Sequence, residues 1–102
     1  MKFGIKRPRV VEEDQLAAAL WYDEREPGLG DEFLTDSEAV ISGLSESALH
    51  HSIQFADVRC VRLKRFKRYG VFYIVRGQEV IVLAIHHGFR HPRWLRARRL
   101  RF

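Results

Sequence analysis

Val80, Ile81, Val82, Leu83, Ala84 and Ile85 form an unbroken apolar run between Glu79 and a pair of histidines. Its length and β-branched content suit a strand rather than a helix. Successive side chains of a strand point to opposite faces, so this one is apolar on both and must be covered on both or lie centrally in a sheet. Two further segments read as its neighbours: Tyr69 to Val75, aromatic and β-branched, and Val58 to Phe66, threaded with Arg and Lys. The links Lys67-Arg68 and Arg76-Gly77-Gln78 are short enough to make the three consecutive antiparallel neighbours. A short first strand is expected at Phe3 to Ile5, limited by Pro8.

Ahead of the strands the hydrophobic period changes to that of helices. Glu12 to Glu24 reads as one helix, with acids in its first turn and an apolar face of Leu16, Ala19 and Leu20 joined by Ala17, Trp21 and Tyr22. The run Ala17-Ala18-Ala19 permits close approach by a neighbouring element. Pro27-Gly28-Leu29-Gly30 breaks the helix, and a second begins at Asp31 and Glu32 with a stripe of Phe33, Val40 and Leu44. Gly43 weakens it, and fraying is expected from Ser45 to His50. Two helices joined by a short turn predict an antiparallel hairpin. The expected fold is therefore α+β: an N-terminal helix hairpin packed on a twisted antiparallel β-sheet, one domain over residues 1–102. The hairpin would cover one sheet face, leaving the other as a groove or interface.

Charge is segregated along the chain. Eleven acids and one arginine lie between Glu12 and Glu46, whereas thirteen bases and one acid lie from Arg59 onward. A basic surface of this kind attracts nucleic acid or an acidic protein segment. The single cysteine, Cys60, cannot form an internal disulfide, which points to a reducing cytoplasmic home. No apolar run approaches the ~20 residues of a membrane span, and no secretory signal or membrane partner is expected.

Among residues able to carry chemistry, His86, His87 and His91 cluster after the long apolar strand beside Arg90 and Arg93. Imidazoles beside arginines suit metal-free RNA cleavage, but adjacent strand residues face opposite ways, so His86 and His87 cannot both serve one site. His50-His51 lacks a recognised ligand spacing, and neither a metal nor another cofactor is expected. Gly28-Leu29-Gly30 is a turn, not a phosphate loop. Bases and rings interleave from Arg59 to Tyr73, a pattern shared by nucleic-acid platforms and by ordinary strands with core aromatics.

The ordered set of features resembles the RelE/ParE superfamily of type II toxin–antitoxin toxins, and most closely its ParE, or plasmid stabilisation, branch. The features are Leu16-Ala17-Ala18-Ala19-Leu20-Trp21-Tyr22, then Pro27-Gly28-Leu29-Gly30 and Phe33-Leu34, then Arg62-Leu63-Lys64-Arg65-Phe66, Tyr69-Gly70-Val71-Phe72-Tyr73 and His87-Gly88-Phe89-Arg90-His91-Pro92. The resemblance implies a small α+β toxin neutralised by a cognate antitoxin, with Trp21, Tyr22, Arg59 and Phe72 on the antitoxin side. ParE-like members are associated with inhibiting DNA gyrase, which would place Arg62, Arg90, Arg93, Trp94 and Arg96 against the target. RelE-like members cleave mRNA on the ribosome; that alternative would use Arg90, His87, Lys64 and Arg65. In the RNA-cleaving branch an Arg follows the Tyr that opens the central strand, and here that position is Gly70. The resemblance therefore leans to a toxin that binds rather than cleaves.

Overall fold

The computed structural model describes residues 2–88 and 91–102. Its elements run β1 (Gly4–Lys6), α1 (Arg9–Arg25), α2 (Leu29–Ser47), β2 (Ile53–Phe55), β3 (Val58–Arg62), β4 (Tyr69–Arg76), β5 (Glu79–His87) and α3 (Arg93–Leu100). The five strands make one sheet in the order β1-β5-β4-β3-β2. Neighbours from β2 to β5 are antiparallel, but β1 joins β5 in parallel, so the sheet is mixed rather than wholly antiparallel. No hairpin links β1 to β5, so no turn forces the two to run in opposite directions. β5 reaches His87, beyond the expected apolar run, because Tyr69 at the start of β4 pairs with it. Phe72 faces Ala84 and Tyr73 faces Val82, leaving Leu83 as the extra residue of a bulge.

The helix hairpin forms as expected, but with a different inner face. Leu16 and Leu20, expected in the core, are exposed, while Val11, Gln15, Ala18 and Ala19 are buried. The reason is the closeness of the crossing: a Cβ added to Gly30 would lie 2.5 Å from the Ala19 carbonyl oxygen. Small residues set that distance, and leucines would hold the helices apart. Asp23 Oδ1 accepts the Gly28 and Gly30 N–H groups at 3.1 and 2.8 Å and so caps the start of α2. Gln15 donates to Ser37 at 2.9 Å, and Glu38 accepts from both Gln15 and Arg7, which satisfies the polar groups buried in the hairpin. α2 persists to Ser47, through the start of the segment expected to fray, and the turn that follows is fixed by the buried Ala48, whose carbonyl accepts from Tyr73.

The apolar run of β5 is covered on both faces. On the hairpin side Val82 packs with Phe33, Ile41, Leu44 and Tyr73. On the other side Ile81 and Leu83 pack with Phe72, Ile74 and Leu95 of α3, and Leu95 is 0% exposed. The second sheet face, expected to stand open, is thus occupied by the chain's own C-terminal helix. Ion pairs hold that helix at its edges, Arg99 to Asp57 at 2.6 Å and Arg98 to Asp14 at 2.7 Å.

The basic segment after β3 also departs from expectation. β3 ends at Arg62, so Lys64, Arg65 and Phe66, expected on the strand, lie in a loop that runs on into the expected link Lys67-Arg68. Asp36 of α2 explains this: its carboxylate accepts the N–H groups of Lys64, Arg65 and Phe66 at 3.2, 2.9 and 3.0 Å. Those donors turn toward a helix and are lost to a ladder. The short strand β2, absent from the sequence reading, pairs with β3 through Ile53 opposite Arg59.

Candidate functional site

β1 pairs with β5 only from Gly4 opposite Glu79 to Lys6 opposite Ile81. Pro8 then has no N–H to donate, and α1 begins at Arg9. β5 continues to His87, bonded on its other side to β4. From Val82 onward, its outer edge therefore has no strand beside it among the described residues. Two side chains cap part of that edge. Asp14 Oδ2 accepts the Ile85 N–H at 3.1 Å, and Arg98 donates to the Leu83 carbonyl at 3.0 Å. The two caps bond each other at 2.7 and 3.2 Å. Charged side chains blunting an open edge are a common defence against unwanted strand pairing.

A groove of about 630 Å³ follows this edge. Ala17, Trp21 and Tyr22 of α1 form one wall, Trp94 of α3 stands opposite, and Ile85, His86 and His87 lie along the floor. Trp21 and Trp94 are 47% and 39% exposed, high values for indole rings. Arg25 stacks over the Trp21 ring at 3.4 Å, and His86 meets Trp94 edge-on at 5.0 Å. Burial lowers the pKa of His86 below its ordinary value, and neighbouring His87 adds to the effect while Asp14 opposes it. Burial raises Tyr69, with Tyr22 contributing. The groove is thus an aromatic cleft whose one acid–base pair is already mutually neutralised.

The residues named from sequence are divided among several surroundings. Trp21, Tyr22, His87 and Trp94 meet at the groove. Arg93 and Arg96 are exposed on α3, Arg96 lying 4.8 Å above the Phe55 ring, and Arg62 is exposed at the end of β3. Arg65 pairs with Glu32 and lines a different depression beside α2, apart from His87. His91 packs on Phe55 at 4.6 Å. Arg90 lies outside the described residues. Of the antitoxin candidates Phe72 and Arg59, the first is inaccessible and the second has an internal role. Phe72 is 0% exposed beneath α3, so no partner reaches it in this conformation. Arg59 donates to the His51 and Leu49 carbonyls at 2.6 and 3.3 Å, fixing the turn before β2. Cys60 is partly buried, which pushes its thiol up to about 12 and makes it a poor nucleophile.

Asp14 and Arg98, which shape the groove, were not singled out from sequence. Asp14 read as one of three first-turn acids and Arg98 as one of many tail arginines, and no local spacing relates residues 84 positions apart. Among the described residues no three His, Cys, Asp or Glu side chains converge as metal ligands, and no helix is long and apolar enough to cross a membrane.

No protein-family model matches the chain, and no curated protein sequence matches it either. Among solved structures it is similar to a chain of the chromosomal ParDE TA system from P. aeruginosa, with a TM-score of 0.76 and 20% sequence identity. The match covers 86% of this chain and 98% of that one. The architecture expected from the sequence, a helix hairpin packed on a sheet, is the one observed, and that chain shares the fold.

Proposed function

We propose that this chain is the toxin of a type II toxin–antitoxin pair, ParE-like, which arrests growth by binding DNA gyrase and is neutralised by a cognate antitoxin. The observation that carries the reading is the fold: it coincides with a chain of a ParDE TA system over nearly that chain's whole length. A protein partner is supported by the apolar side chains that α1 leaves in solvent, Leu16 and Leu20 at 55% and 64% exposure, next to Trp21. On this reading the target meets α3, where Arg93, Trp94 and Arg96 face outward, together with Arg62 and Arg90. Binding in place of catalysis is supported by the separation of Arg65 from His87 and by the neutralised pair in the groove.

Inducible expression in bacteria, with and without the protein encoded beside it, tests the toxin; a supercoiling assay with purified gyrase tests the target. Growth arrest relieved by the neighbour, with supercoiling lost in an Arg93- and Arg96-dependent way, is the expected result. Harmless expression overturns the toxin reading. Arrest with intact supercoiling but cleaved transcripts in a translation extract would replace gyrase by mRNA.

A further inference from the structure

We propose that two copies of this chain pair with each other, α1 of each lying against α3 of the other about a two-fold axis that runs along the groove. The two helices are oppositely charged. α1 carries five acids and two arginines, whereas α3 carries four arginines and no acid. Among the described residues, the fold's own ion pairs take up Asp14, Arg98 and Arg99 of these helices. Glu13 and Glu24 of α1, Arg93 at the start of α3 and Arg101 just past its end remain exposed. Apolar surface accompanies the charges on both sides: Leu20 and Trp21 on α1, Trp94 and Leu100 on α3, the last 85% exposed.

The fold presents both helices on one side of the molecule. Asp14 near the start of α1 bonds Arg98 in the last turn of α3. From that bond α1 leads along the groove to Trp21, and α3 leads back to Trp94. A two-fold axis parallel to the groove exchanges its two walls, so α1 of one copy meets α3 of the second at the same level. Glu13 then comes opposite Arg101 of the second copy and Glu24 opposite Arg93, and each pair forms twice. Setting α1 on α1 would place acid on acid, and α3 on α3 base on base, so charge selects the crossed arrangement. The same acids turn away a nucleic-acid backbone, which α3 alone would attract. A pair so formed covers the faces assigned above to antitoxin and target, but it rests on the charges of this chain and not on the toxin reading.

Sedimentation of the full chain tests the pairing. The expected result is a monomer–dimer equilibrium between about 1 and about 500 μM, weakened at least about tenfold when salt rises from about 50 to about 500 mM. Glu13→Arg with Glu24→Arg, and separately Arg93→Glu with Arg101→Glu, should each weaken self-association at least about tenfold. An equimolar mixture of the two variants should pair again, within about threefold of the parent affinity, because every reversed helix then meets its opposite. Far-UV circular dichroism checks that both variants fold; should one fail, the salt series on the unaltered chain decides. A monomer throughout the range, a dimer indifferent to salt, folded variants that dimerise as well as the parent, or variants that stay monomeric when mixed would each overturn the proposal. Growth is not the readout, so a harmless protein could still satisfy this test, and a toxic one could fail it.

Discussion

Asp36 gathers three consecutive main-chain N–H groups onto one exposed-side carboxylate, and so decides that the basic stretch after β3 is a loop. Asp36→Ala should lower stability by about 2 kcal/mol in urea unfolding and loosen Lys64 to Phe66 in amide exchange. Gly30 holds the helix crossing by having no Cβ. Because the obstacle at 2.5 Å is the Ala19 backbone and not a flexible side chain, Gly30→Ala should cost about 2–3 kcal/mol despite its better helix propensity. Histidine titration adds a pH dependence. Burial keeps His86 and His51 below the ordinary 6.5 in the folded chain, so on acidification the unfolded chain takes up protons first. Their contribution is full above about 6.5 and is lost as pH falls toward the lowered values. Glu38, held down by Arg7, and Asp57, held down by Arg99, add a second loss at more acid pH. The melting temperature should therefore fall from pH 7.5 to 5.5 and again below about 4.5, and His86→Asn should flatten part of the first decline.

Among the elements, α3 is the one whose role the sequence reading left open. A basic segment of eight residues with one buried leucine looks the same on paper whether docked or free. What docks it is an apolar sheet face that would otherwise meet water, supplied by Phe72 and Ile74 of β4 and by Ile81 and Leu83 of β5. Leu95→Ala should cost about 2–4 kcal/mol and raise amide exchange throughout α3; an unchanged exchange profile would mean that the flanking ion pairs, not Leu95, hold the helix. The strands β4 and β5 were legible because their composition and links are local facts. The strand β2 was not, since three residues are too short a run for alternation to be told from chance, and they become a strand only when β3 is there to pair with them.

At the scale of the whole molecule, both cores are built on opposite faces of the same strands, β4 and β5, so neither can melt while the other stays intact. Far-UV circular dichroism and tryptophan fluorescence should report one coincident unfolding transition, with Trp94 on α3 following the rest. An early fluorescence change would show α3 leaving as a separate unit. The charge asymmetry read from the sequence is real but partly cancelled in space, because Arg7, Arg65, Arg98 and Arg99 find Glu38, Glu32, Asp14 and Asp57 across the fold. The sequence by itself determined the helix hairpin, the three main strands and the double-sided burial of Val80 to Ile85, since each follows from periodicity, turn residues and the length of an apolar run. Only the tertiary structure decided which side of α1 is buried, which sheet face is closed and where an edge is left free. Those outcomes depend on how closely Gly30 lets two helices approach, where Pro8 stops β1 and which distant acid meets Arg98, and contacts between residues tens of positions apart leave no local pattern in the chain.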